Sequence, residues 1–95
     1  MNFTLTTNLW RYPSQSAAWY FVTIDAATTA KIKSQPRPKK GWGSVRVRVT
    51  IGKTTWETSI FPSKEGVYIL PIKASVRKAE DIFEGEMVKI LLHVA

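Results

Sequence analysis

Length, composition and charge already narrow the class of this protein. Its 95 residues are 44% hydrophobic and 22% charged, which is typical of one small globular domain rather than a disordered or collagen-like chain. The sequence contains no cysteine and a single histidine, which excludes disulfides, thiolate metal sites and thiol nucleophiles, and most histidine-based catalysis. The longest apolar run, residues 17–22, is far shorter than a membrane helix, and the N-terminus lacks the basic segment of a signal peptide. We predict a single domain over residues 1–95, soluble and cytoplasmic, with no membrane span and no cofactor.

The net charge of +7 is distributed unevenly along the chain. Residues 1–56 contain nine basic residues and one acidic residue, a net of +8, whereas residues 57–95 contain five basic and six acidic residues, a net of −1. A basic excess attracts polyanions such as nucleic acid, and it also keeps a small protein soluble. Nucleic acid is therefore a candidate partner, and a solvated basic face is the simpler interpretation.

The first half of the chain reads as two strands and a short helix. Residues 3–9 alternate apolar and polar side chains, the pattern of a half-buried strand, and residues 18–24 predict a second, heavily aromatic strand. Asp25 is a good N-cap for a helix over residues 26–33. Two prolines and two glycines make residues 35–43 an exposed loop.

The clearest element is the strand over residues 45–51. Four β-branched apolar residues alternate there with outward-facing Arg46, Arg48 and Thr50. Gly52-Lys53 suits a two-residue type II′ turn, which would pair Arg48 with Glu57 across a hairpin.

The second half of the chain is also predicted to consist of strands and one short helix. Strands are predicted over residues 54–61, 67–70 and 88–94, with a second short helix over residues 74–79. The last strand has an unusually apolar outward residue at Leu91. Six strands and two small helices favour an all-β fold, a closed or nearly closed six-stranded β-barrel, because a flat sheet would leave one face wet and two edges open.

Five segments, in this order and spacing, carry a resemblance to a known family. They are Trp19, Phe21 and Val22 followed by Asp25, then Trp56–Pro62, Tyr68–Lys73, Val76–Glu80 and Gly85–Val88. Over essentially its whole length the chain resembles domain-of-unknown-function family 1905, although the family usually has Asp where this chain has Glu86. The resemblance implies a small β-barrel capped by short helices, similar to the double-split barrels that include bacterial transition-state and antitoxin DNA-binding domains. It implies no activity, because the family is uncharacterised.

Catalysis has little support in the sequence. His93 has no acidic residue on its own side of its strand, and Ser59 has no local base or oxyanion hole. The acidic cluster over residues 80–86 lacks the spacing of a calcium loop. We predict no catalytic residue and no metal site, and we interpret the protein as a non-enzymatic binding module of unknown ligand.

One candidate interface is basic and suits nucleic acid. Basic side chains could follow a phosphate backbone while a tryptophan stacks on an exposed base. The residues are Arg37, Lys39, Lys40, Trp42, Arg46 and Arg48. The alternative is that the outward arginines only prevent aggregation, with Glu57 neutralising Arg48.

A second candidate site, for a small anionic ligand, belongs to the segments that carry the resemblance. Its residues are Trp56, Ser59, Phe61, Lys73 and Arg77. Lys73 and Arg77 are four apart, so on a continuous helix they would share a face and could receive an anionic group. The alternative is a structural role in which Arg77 packs over Trp56 or bonds Glu80.

The remaining aromatic and apolar residues are interpreted as structural. The aromatic set is predicted to fill the core and the mouth of the barrel: Trp10, Trp19, Tyr20, Phe21 and Tyr68. Leu91 and Met87 are predicted to be exposed on the last strand, where two chains could meet. We therefore predict a monomer or a homodimer.

Overall fold

A computed structural model describes residues 1–13, 18–35 and 43–94. Across these ranges it contains seven strands and two helices, and every strand pair is antiparallel. In chain order they are β1 (Asn2–Asn8), β2 (Trp10–Tyr12), β3 (Trp19–Thr23), α1 (Ala26–Lys33), β4 (Val45–Ile51), β5 (Thr54–Pro62), β6 (Tyr68–Pro71), α2 (Ala74–Ala79) and β7 (Met87–Val94). The all-β class and the bounds of both helices are confirmed, whereas the predicted count of six strands is corrected to seven.

The additional strand arises because Leu9 divides the N-terminal segment. The strand order is β1-β7-β4-β5-β6-β3-β2, so the two edge strands are consecutive in the chain and Leu9 alone separates them. Leu9 is buried, its N–H donates to the Glu86 carbonyl at 2.9 Å, and its carbonyl accepts from the Gly85 N–H at 2.7 Å. The sheet therefore curls into a half-barrel whose two edges are joined by the backbone itself, which confirms the barrel-like fold.

The sheet has two halves that share β5. Residues 54–60 of β5 pair with β4, and residues 61–62 pair with β6. We call β1, β7, β4 and the first part of β5 the β4 half, and the end of β5 with β6, β3 and β2 the β3 half. Both β5 and the N-terminal segment pass from one half of the sheet to the other, so these two segments connect the halves directly.

The core lies inside this curl and is built by strict alternation. In β4 and β7 every second residue is buried: Val45, Val47, Val49, Ile51, Val88, Ile90, Leu92 and Val94. Arg46, Arg48 and Leu91 alternate with them and are exposed, as predicted. The predicted hairpin register is also confirmed, because Arg48 lies opposite Glu57 and Gly52 has the positive φ of +57° that starts a type II′ turn.

The helices cover the curl and are held by specific hydrogen bonds. The Asp25 carboxylate accepts from the Thr28 N–H at 3.3 Å and caps α1, while Ile32 of α1 is fully buried. The Thr54 hydroxyl donates to Glu80 at 2.6 Å, which fixes the end of α2 to the β4–β5 hairpin. None of the helices in the described ranges is long and apolar enough to cross a membrane.

Candidate functional site

A pocket of about 440 Å³ opens between the start of β3, the middle of β5 and the segment that joins β6 to α2. The β3–β6 pairing continues past β6, since the Ile72 N–H donates to the Tyr20 carbonyl at 2.8 Å. This hydrogen bond places the start of α2 beside β3. Aromatic and charged side chains dominate the lining: Trp19, Tyr20, Trp56, Glu57, Lys73 and Arg77. We call this cavity the α2 pocket.

The α2 pocket brings together three of the five residues predicted for an anionic ligand, namely Trp56, Lys73 and Arg77. The other two lie elsewhere. Ser59 is the cross-strand neighbour of Arg46 on the outer face of the β4 half. Phe61 pairs with Ile69 in the β3 half and is 38% exposed. They lie apart because β5 alternates its side chains and then crosses from one half of the sheet to the other.

The guanidinium of Arg77 is oriented by two neighbours. Its Nε donates to the Ile72 carbonyl at 3.2 Å, and its guanidinium carbon lies 3.8 Å from the centroid of the Tyr20 ring. Glu80, the alternative partner predicted for Arg77, instead accepts from the Thr54 hydroxyl. A guanidinium carries five N–H donors, so the terminal nitrogens keep four after the Nε bond is made. Arg77 is therefore held in place while most of its donors remain available.

Lys73 supplies the second positive charge of the α2 pocket. It is the N-cap residue of α2, with an extended backbone and no side-chain capping bond, and it is exposed. Its carbonyl accepts from the Arg77 N–H at 3.1 Å, so the two residues bracket the first turn of α2. With Glu57 as the acidic residue of the lining, the pocket has a net charge of +1.

A second and larger groove of about 680 Å³ lies on the outer side of the β3 half. Its floor is formed by four rings, Trp10, Tyr12, Trp19 and Phe21, which we call the aromatic platform. Trp19 is 54% exposed and Tyr12 is 52% exposed. The prediction that Trp10, Trp19 and Phe21 fill the core or the barrel mouth is therefore wrong.

Strand pairing explains this correction. Trp10 lies opposite Phe21 and Tyr12 opposite Trp19, so all four rings share one face, while Val22 and Leu70 occupy the inner face. Residues 18–24 are apolar at nearly every position, so the sequence carried no polar face by which to orient the strand. The other two aromatic residues follow the prediction, since Tyr68 is buried and Tyr20 packs against the core.

The basic set predicted for nucleic acid is described only in part. Arg46 and Arg48 are exposed on the outer face of β4. Arg37, Lys39, Lys40 and Trp42 lie outside the described residues. Nucleic-acid contact through these six residues therefore stays a prediction.

Three residues of the types that catalysis or metal binding needs, His93, Glu80 and Glu86, have hydrogen-bond partners in the structure. His93 contacts the side chain of Asn2, and the Glu86 carboxylate accepts from the Phe83 N–H at 2.7 Å. Among residues 1–13, 18–35 and 43–94, no three acidic or histidine side chains come together in a way that could hold a metal ion. Within the acidic segment 80–86, Glu80 accepts from the Thr54 hydroxyl and Glu86 from the backbone.

Comparison with known proteins gives the family of the chain. No curated protein matches the chain. A family model matches residues 5–92, a range that includes both the α2 pocket and the aromatic platform. The segments noted in the sequence all fall within this match. The chain therefore belongs to the family described as Domain of unknown function (DUF1905).

Proposed function

We propose that the protein is a non-enzymatic binding module whose α2 pocket takes a small ligand with one anionic group. The observation that carries the proposal is the joint placement of Lys73 and Arg77 on one pocket, with Arg77 already oriented by Tyr20 and Ile72. A planar guanidinium with free terminal N–H groups matches the two oxygens of a carboxylate or phosphate. Because its orientation is already set, little side-chain entropy is lost when the anion binds.

The rest of the lining favours a ligand with an apolar part. Trp56 and Tyr20 are half-buried and supply aromatic walls, which lower the local dielectric and strengthen an ion pair with Arg77. Glu57 lies on the β5 side of the pocket and is cross-strand to Arg48. Its carboxylate repels a second anionic group and accepts an N–H or O–H of the ligand. The α2 pocket therefore takes one anionic group at a time, with a ring or alkyl group of the ligand packed beside it.

The proposal is tested by NMR titration of the full chain with inorganic phosphate and with phenyl phosphate. Amide shifts are expected at residues 73–77 and at Tyr20, with phenyl phosphate binding more tightly than inorganic phosphate. Arg77→Gln is expected to weaken binding about 10- to 150-fold, the value of a charge-assisted hydrogen bond of roughly 1.5–3 kcal/mol.

A matched control is Lys78→Ala, which removes a charge from the same helix at an exposed position outside the pocket lining. It should leave the affinity for phenyl phosphate within about twofold. Equal losses from Lys78→Ala and Arg77→Gln would show that phosphate senses only the net charge, and the α2 pocket would then not be the site.

A further inference from the structure

The aromatic platform is an exposed feature that the α2 pocket does not account for. Phe21 lies at its centre, with ring centroids 5.1 Å from Trp10, 6.4 Å from Tyr12 and 6.5 Å from Trp19. Trp19 and Phe21 are nearly parallel, at 15°. The indole N–H of Trp10 donates to the Thr23 hydroxyl at 2.9 Å, which fixes this ring on the sheet. Trp10 is therefore fixed, whereas Tyr12 and Trp19 contact Phe21 and are more than half exposed.

Large rings are usually withdrawn from water when the fold allows it. Each aromatic side chain can bury about 150–250 Å², but the inner face of the β3 half is already filled by Val22, Leu70 and Tyr68, with Tyr20 packed against them. A contiguous aromatic surface on a soluble domain is typical of a site that binds another molecule. Its residues lie on the paired strands β2 and β3 rather than on loops, so the spacing between the rings is set by the sheet.

The aromatic platform is continuous with the α2 pocket. Trp19 lines both cavities, so it forms a shared wall between the cationic pair and the exposed rings. Lys64 and Glu65 are the charged residues that line the platform groove, and they cancel. The combined surface therefore has a cationic pocket at one end and a stacking surface with no net charge at the other.

We propose that this combined surface binds single-stranded nucleic acid, with a phosphate at Lys73 and Arg77 and neighbouring bases stacked on Trp19 and Tyr12. The inference rests on the proposed anion-binding function of the α2 pocket, with one phosphate of the strand as the single anionic group in that pocket. Bases stack on aromatic side chains with little regard to sequence, provided that their faces are not hidden in a duplex. The net charge of +7 is complementary to a polyanion. It gives no attraction to an uncharged proline-rich peptide, the other kind of ligand that docks on aromatic grooves. Two exposed rings in a groove of about 680 Å³ offer room for more than one base, which favours a strand over a free nucleotide.

The test is fluorescence anisotropy of a labelled oligothymidylate about eight nucleotides long, titrated with the full chain at low salt. Trp19→Leu and Tyr12→Leu are each expected to weaken binding about 5- to 150-fold, the range measured for single base-stacking side chains. Trp19→Phe keeps a ring and should retain most of the affinity. Phe83→Leu is the matched control, because Phe83 is 63% exposed and lines neither cavity.

Thermal melting of each variant shows whether it is folded, and Tyr12→Leu changes a different exposed ring, so the test does not depend on Trp19 alone. Equal affinity of Trp19→Leu and Phe83→Leu for oligothymidylate would overturn the inference. So would equally tight binding of a duplex of the same length, or binding of an oligoproline peptide in place of the oligonucleotide.

The two proposals fail in different ways. If phenyl phosphate binding depends on Arg77 but Trp19→Leu leaves the affinity for oligothymidylate unchanged, the inference is wrong. The α2 pocket then remains an anion site. If oligothymidylate binding depends on Trp19 but Arg77→Gln leaves its affinity unchanged, the anion site is wrong. The proposal of a combined surface is then wrong as well.

Discussion

The contact between Arg77 and Tyr20 is the part of the α2 pocket whose energy can be isolated most cleanly. The two side chains are 57 positions apart in the sequence (77 minus 20) and meet at 3.8 Å between the guanidinium carbon and the ring centroid. A double-mutant cycle with Arg77→Met, Tyr20→Leu and the double variant removes the cation–π contact from either side. Methionine keeps an unbranched apolar stem in place of the arginine stem.

The expected magnitude follows from the geometry. Cation–π pairs contribute about 0.5–1 kcal/mol when exposed and about 2 kcal/mol when desolvated. Both side chains here are half-buried, so we expect a coupling energy of about 1 kcal/mol. Arg77→Met also removes the hydrogen bond from Nε to the Ile72 carbonyl, which at 3.2 Å is long and adds about 1 kcal/mol. The single variant should therefore lose about 2 kcal/mol of unfolding free energy, or about 8–16 °C in Tm for a domain of this size.

Urea denaturation of the four proteins gives the coupling energy directly. Arg77→Lys is the control, because lysine keeps the positive charge but lacks both Nε and the planar group that stacks on Tyr20. It should lose most of what Arg77→Met loses. A coupling energy below about 0.3 kcal/mol, within the scatter expected for independent sites, would refute the view that Tyr20 holds the guanidinium in place.

Three further predictions concern the fold that supports the site. Gly52→Ala should cost about 2–3 kcal/mol, because its φ of +57° strains an L-residue and the new Cβ would displace the Glu80 carboxylate that accepts from Thr54. Gly66 also has a positive φ, +85°, but a Cβ there would meet open space, so Gly66→Ala should lower the unfolding free energy by about 1 kcal/mol. Equal losses from Gly52→Ala and Gly66→Ala in chemical denaturation would contradict the role of Glu80. Ile90→Ala, at a fully buried position of β7, should lower the unfolding free energy by about 2–5 kcal/mol. Leu91→Ala, at a position that is 47% exposed on the outer face, should lower it by less than about 1 kcal/mol. A reversed order in denaturation midpoints would invalidate the assigned faces of β7. Asp25→Ala should lose about 1 kcal/mol by removing the α1 cap, and Asp25→Asn should restore most of it, as calorimetric melting can show; a loss from Asp25→Asn as large as from Asp25→Ala would point to charge rather than capping.

Much of the candidate site was predictable because the signals are local. Lys73 and Arg77 were paired by their spacing of four, and the structure puts both on one pocket with Trp56. The partner of Arg77 was not predictable, because Tyr20 reaches it only through the pairing of β3 with β6. Ser59 was assigned to the same site from its place in a recognisable segment, but the pleat of β5 turns it toward Arg46.

Local pattern by itself determined the strand over residues 45–51, the turn at Gly52 and the bounds of both helices. In each of these segments a contrast between polar and apolar side chains, or a residue with a special backbone preference, allows only one placement. Tertiary structure alone decided the break at Leu9 and the outward position of Trp10, Trp19 and Phe21. Where nearly every side chain is apolar, either face of a strand could be buried, and the choice is made by the neighbours with which the strand pairs.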